Sequence, residues 1–326
     1  MFQQVLEGRS IIDWPRAFFT TEEEVLGFLR VNEFDLSKPR DTERLTNIHR
    51  EAITYLEGQL NLQFDPAILK PEKLTQLFLF SSQAKSSSLQ KQACSVLKTM
   101  NIITHINGRE LLYNCPISQK DLFSLVEDKV ERALSSLSRR ESGLLKYQGG
   151  RKPKDSLMTK LLCKRETIAA QIYDRVRYRI VTKTREDILK VVLYLFDSIL
   201  PFNFVIPEVS VNQLIPLNFR ERLTMTTRAL QRRIPRRLSA MEYSGKNYRV
   251  CKFVVDIPIR MDNFLAASNG PSYRESLGTI AYVLVEFQIV DQETELFNNA
   301  GESSHENYKN RQKSGVLRRL TGRARG

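Results

Sequence analysis

The spacing of apolar residues changes character once along this chain, near residue 143, and that change limits the possible folds more than any other feature. Before it, apolar residues recur at helical spacing. Leu45, Ile48, Ala52, Tyr55, Leu56 and Leu60 mark one helix over 42–60. Leu89, Ala93, Val96, Leu97, Met100 and Ile103 mark another over 88–106. A third runs over 118–138, with Ser118 as N-cap, Asp121 three positions on, and a stripe of Leu122, Val126, Val130, Ala133 and Leu137. After the Gly- and Lys-rich stretch SGLLKYQGGRKPKDS the pattern turns to β. IYDRVRYRIV (172–181), RVCKFVVDIPI (249–259) and TIAYVLVEFQIV (279–290) read as strands. Between the first two, residues 184–200 read as a helix opened by a Thr184–Asp187 capping box, and 201–219 as proline-interrupted loop. The expected fold is α+β: a helical N-terminal region, 1–142, followed by a domain built on a mixed sheet flanked by helices, 143–310.

Charge narrows the ligands. Fifty Lys and Arg against 37 Asp and Glu leave a net charge of +13, an excess that attracts phosphate without choosing among its carriers. Part of it sits in the arginine-rich stretch Arg220–Arg237 and part in a basic C-terminal tail, 311–326. Either is also compatible with a solvated face or an unstructured tail. The four cysteines, Cys94, Cys115, Cys163 and Cys251, are scattered and without metal-ligand spacing, which reads as reduced thiols in a cytoplasmic protein. No apolar run reaches the roughly 18 residues of a membrane span, and the N-terminus does not read as a secretory signal.

Two strands carry chemistry on their faces. In 279–290, Ala281, Val283, Val285, Phe287 and Ile289 point one way, while Glu286 and Gln288 interrupt the other, otherwise apolar face. Glu286 is then either a rim residue in water or part of a site. In 172–181, Asp174 falls on one face with Ile172, Val176, Tyr178 and Ile180, and Arg175, Arg177 and Arg179 fall on the other. Three arginines on one face suit a phosphate cleft or a solvated sheet surface. Two carboxylates from neighbouring strands, converging, are a donor set that magnesium accepts together with substrate phosphates.

Four blocks, in order, resemble the RelA/SpoT alarmone synthetases. GRKPKDSLMTK (150–160) is similar to the basic segment that opens that family's synthetase domain, and the resemblance assigns Arg151, Lys154, Ser156 and Lys160 to ATP phosphates. IYDRVRYRIV is similar to the strand in which an aspartate precedes an arginine by five residues. Asp174 then matches a magnesium ligand, and Arg179 the arginine, also at the phosphates. GKNYRVCKFVV (245–255) is similar to the segment whose tyrosine stacks on the acceptor guanine, here Tyr248, with Lys252 following. VEFQIV (285–290) resembles the glutamate–glutamine strand, so Glu286 becomes the second metal ligand and the group that activates the attacking hydroxyl, with Gln288 on the acceptor side. HENYK (305–309) resembles the short segment after it and adds His305 to the acceptor residues. The chain departs from the family pattern at Val250, Lys252, Val290 and Asp291.

The resemblance implies a nucleotidyltransferase-like domain. Its implied reaction is Mg2+-dependent transfer of pyrophosphate from ATP to the 3′-hydroxyl of a guanine nucleotide. Two other readings share these residues: pyrophosphorylation of tRNA 3′ ends, with RNA held by Arg220–Arg237, and a degenerate nucleotide- or nucleic-acid-binding protein. The first 140 residues contain no His–Asp pair, so no alarmone hydrolysis is expected. No membrane partner is expected either.

Overall fold

The computed structural model describes residues 19–84, 86–163, 173–206, 209–215, 247–267, 277–300 and 305–321. Helices α1 (Glu22–Val31), α2 (Pro39–Leu60), α3 (Pro66–Leu69), α4 (Thr75–Gln83), α5 (Ser87–Asn114) and α6 (Gln119–Ser138) come first. Their starts follow local chemistry. Thr21 and Glu24 cap α1 reciprocally, Pro39 sits in the first turn of α2, and the Ser118 hydroxyl accepts the Asp121 N–H at the start of α6. α2 stops at Asn61, whose φ of 52° is the left-handed conformation that ends helices.

From residue 144 the chain alternates. The elements are β1 (Leu144–Arg151), α7 (Lys154–Cys163), β2 (Val176–Thr182), α8 (Arg185–Ser198), β3 (Val211–Asn212) and β4 (Cys251–Arg260), then α9 (Asp262–Ala267), β5 (Ile280–Asp291), α10 (Gln292–Asn299) and α11 (His305–Thr321). Thr184 and Asp187 cap α8 in the expected box. α11 runs through residues 311–321, the described part of the expected tail.

The strands form one mixed sheet in the order β1-β2-β5-β4-β3. β2 and β5 are parallel and the other neighbours antiparallel. β5 therefore lies at the centre, paired along most of its length on both sides, as its apolar run requires. Register puts cross-strand partners on a common face. One face carries Val176, Tyr178, Val285, Phe287, Phe253 and Val255, all essentially sealed from water. α6 and α8 cover it: Tyr178 donates to the Glu127 carbonyl of α6, and Phe196 of α8 meets Phe253 edge-on at 5.6 Å. Each such side chain contributes on the order of 1.5–3 kcal/mol by leaving water.

The opposite face is divided. Its β4–β5 end packs on α5, where His105 bonds Asp256 at 2.9 Å and lies edge-on to Tyr282. The remainder, around Glu286 and Gln288, is the polar part. The helices of 22–138 and the sheet share one hydrophobic core. All four cysteines are buried and none forms a disulfide, and no described helix is long and apolar enough to cross a membrane.

Candidate functional site

Glu286 is not a rim residue: only 7% of its surface meets solvent. Its Oε1 accepts the Gln288 side-chain amide at 2.6 Å. Register places Arg177 of β2 and Val254 of β4 beside Glu286, and Arg179 and Lys252 beside Gln288. A carboxylate in that position needs compensating donors or cations, because burying a charge without them is costly.

Asp174 is buried by a different route. Strict alternation from residue 172 would put it on the apolar face with Val176. β2 begins only at Val176, however, and Asp174 occupies the preceding turn, where alternation does not bind it. It is 7% exposed. Lys152 bonds Asp174 Oδ2 and Lys160 bonds Oδ1, each at 2.6 Å. Burial by itself would raise the Asp174 pKa, but the Lys160 and Lys152 ammoniums outweigh it and hold the carboxyl at about 2. Burial lowers the Lys152 pKa despite Asp174. The Lys152 N–H also donates to the Arg175 carbonyl at 2.9 Å, fastening the end of β1 to this turn.

The basic segment 150–160 splits as it leaves β1. Arg151 turns to α6, where it pairs with Glu127 at 2.8 and 2.6 Å and with Ser124 at 2.8 Å. Lys154 is exposed in the first turn of α7 and Ser156 is half-buried. Only Lys152 and Lys160 of this segment ion-pair with Asp174 among the described residues. The three arginines of 175–179 also diverge. Arg175 bonds Gln119 and lies over Phe123, Arg177 is exposed beside Glu286, and Arg179 is half-buried.

α11 lies against α7 and closes the region. Cys163 donates to the Gln312 carbonyl at 3.0 Å, Arg319 to the Leu162 carbonyl at 3.0 Å, and the Gln312 amide to the Tyr308 hydroxyl at 2.8 Å. The Tyr308 phenol is pushed up to about 12 by burial and then by the negative charges of Asp174 and Glu286, against Arg177. One phenol thus senses both carboxylates.

Arg179 joins the acceptor-side residues to Glu286. Its Nη1 donates to the Tyr248 hydroxyl at 3.0 Å and to Gln288 Oε1 at 3.1 Å, while Nε and Nη2 donate to Glu295 Oε2 at 3.1 and 2.5 Å. Burial opposes the guanidinium charge, but Tyr248 and Glu295 hold its pKa above the ordinary value.

Lys152, Glu295 and Tyr308 complete these contacts and were not singled out from the sequence. Lys152 lies inside GRKPK and Tyr308 inside HENYK, so both were within reach. Glu295 had a weaker signal: Asp291, a helix N-cap that accepts the Thr294 N–H at 2.9 Å, implies a helix that presents the residue one turn in. His305 opens α11, but its side chain lies outside the described residues, as does the whole of Arg220–Arg237. Among the described residues no group of three or more His, Cys, Asp or Glu gathers to hold a metal. Two hard carboxylates still suit magnesium, which asks for few protein ligands and takes the rest from substrate phosphates.

No family model and no curated protein matches the chain. Among solved structures, it is similar to the small alarmone synthetase 2 from Bacillus subtilis, with 14% identity over 61% of this chain and 89% of that one, at a TM-score of 0.32. It is also similar to the small alarmone synthetase 1 from Bacillus subtilis bound to its product pppGpp, with 16% identity over 60% and 85%, at a TM-score of 0.30. A third is a GTP pyrophosphokinase family protein from Streptococcus pneumoniae, with 14% identity over 61% and 83%, at a TM-score of 0.31.

Proposed function

We propose that the chain transfers pyrophosphate from ATP to the 3′-hydroxyl of a guanine nucleotide. The carrying observation is a pair of carboxylates, each only 7% exposed: Asp174, bonded by Lys152 and Lys160 at 2.6 Å, and Glu286, with Arg177 beside it in the register of β2 and β5. The ordered sequence resemblance supports the same reading. Magnesium held by Asp174 and Glu286 would supply charge neutralisation at the transferring phosphates.

Asp174 suits the task because its carboxyl stays ionised to about pH 2. On binding, Lys152 and Lys160 exchange Asp174 for phosphate oxygens, and exposed Lys154 and Arg177 add cationic groups to the triphosphate. The acceptor base lies on the ring of Tyr248. Glu286 takes the proton of the acceptor hydroxyl, whose oxygen attacks the β-phosphorus. The bond from that phosphorus to the bridging oxygen breaks, and AMP leaves with that oxygen. Positioning and charge neutralisation account for most of the rate in such transfers.

The test follows γ-labelled ATP and magnesium by thin-layer chromatography, offering GDP, GTP and bulk tRNA in parallel. Label moving to a guanine nucleotide, and lost in Asp174→Asn, is the expected result. Undiminished transfer by Asp174→Asn, or label moving only to tRNA, would overturn the reading.

A further inference from the structure

Two contacts of α10 converge on the stretch around Tyr248. Asn298, only 2% exposed, accepts the Arg249 N–H at 3.1 Å and donates to the Arg249 carbonyl at 2.7 Å. It therefore holds both backbone polar groups of the residue next to Tyr248. One turn earlier on the same helix, Glu295 grips Arg179 through Nε and Nη2, leaving Nη1 to hold the Tyr248 hydroxyl at 3.0 Å. The Tyr248 ring is thus fixed at its backbone end and at its phenol end by one helix. That helix follows β5 directly and is locked at its start by Asp291 and Thr294.

We infer that α10 is a two-point clamp that holds Tyr248 as a rigid ring face for the purine base of the acceptor, with Glu295 and Asn298 as its positioning residues. The ligand part of this inference rests on the proposed function. It gives Arg179 a different task from phosphate binding. With Glu295 on one edge and Tyr248 and Gln288 on the other, the guanidinium is a tether between the ring and the Gln288–Glu286 pair. Charge-assisted bonds of this kind fix geometry as well as contributing energy. Fixing a contact surface in advance improves affinity by lowering the ordering cost of binding.

The experiment compares wild type with Glu295→Ala, Glu295→Asp and Asn298→Ala using two probes. One is N-methylanthraniloyl-GDP. The other is magnesium α,β-methylene-ATP, whose α–β linkage cannot be cleaved. The expected result is that both alanine variants weaken the GDP probe by about tenfold or more, that Glu295→Asp recovers part of the loss, and that the ATP analogue stays within about twofold. Equal weakening of both probes would overturn the inference, because Arg179 would then serve the phosphates. So would unchanged binding of the GDP probe.

A second measurement reads the clamp without nucleotide. 3-Fluorotyrosine is incorporated, and the Tyr248 resonance is assigned with Tyr248→Phe. A shift of that 19F line in both alanine variants supports the clamp, and an unmoved line overturns it. Wild type that binds neither probe would sink the proposed function and the ligand assignment, while the 19F line still decides the clamp.

Discussion

Both faces of the sheet's central strand carry buried side chains, but by different means, and Leu284 and Gln288 on the polar face are only half-buried. On one, Val283, Val285, Phe287 and Ile289 are packed against apolar neighbours. On the other, Glu286 is as well buried, yet it depends on Gln288, which depends on Arg179, which in turn depends on Glu295. The first face needs only shape and volume. The second needs each partner to be present, since a half-satisfied polar network is worse than an apolar one. The apolar face supplies stability, and that stability lets the polar face carry groups that would not be buried for their own sake.

Substitutions should separate the two faces. The largest expected effect on the polar side is in rate. Glu286→Gln keeps the shape and removes the proposed base, and should lower pyrophosphate transfer by about 10²–10⁴-fold with the protein still folded by circular dichroism. Phe287→Ala, one position along and facing the other way, should do the reverse. It should cost about 3–5 kcal/mol in denaturant melts, with the remaining folded fraction still active. A smaller effect is expected at Gly149. A methyl group there would lie 2.4 Å from the Tyr178 ring on the apolar face, so Gly149→Ala should destabilise by about 1–3 kcal/mol.

Acid should give the smallest effect, and in a third place. Burial holds the His49 pKa below its ordinary value while the ring bonds the Ile68 carbonyl at 3.0 Å. The neutral ring is therefore favoured in the folded state. Its contribution is fully present above the unfolded pKa of about 6.5 and is lost as pH falls below that value towards the lower folded one. Asp174 stays charged across that range. His49→Gln should flatten the stability–pH curve in that window, as read by thermal melts, without changing the pH response of the polar face.

The elements with strong periodicity or explicit caps were legible in the sequence. α6 and α8 start where Ser118–Asp121 and Thr184–Asp187 say they should, and β5 alternates as its residues require. β1 was not legible. LLKYQGGR lacks β-branched residues, and its stability comes from pairing with β2 rather than from its own composition. That omission hid the local geometry by which Arg151 and Lys152 part, the first to Glu127 and the second to Asp174.

Asp174 shows a related limit. Composition suggested a strand from 172, but a turn occupies 173–174, and in that turn Asp174 is bonded by Lys152 and Lys160. Glu295 shows the hardest case, because an acidic residue on a short helix has no motif. Only the fold reveals that it faces Arg179.

The proposed function requires that Asp174 and Glu286 jointly hold a divalent cation on a nucleotide. Manganese can replace magnesium as a paramagnetic probe. Electron paramagnetic resonance would follow its binding to wild type, Asp174→Asn and Glu286→Gln, each with and without α,β-methylene-ATP. Nucleotide-dependent manganese binding is expected in wild type, weakened by about tenfold or more by either substitution. Unchanged manganese–nucleotide affinity in both variants would contradict it.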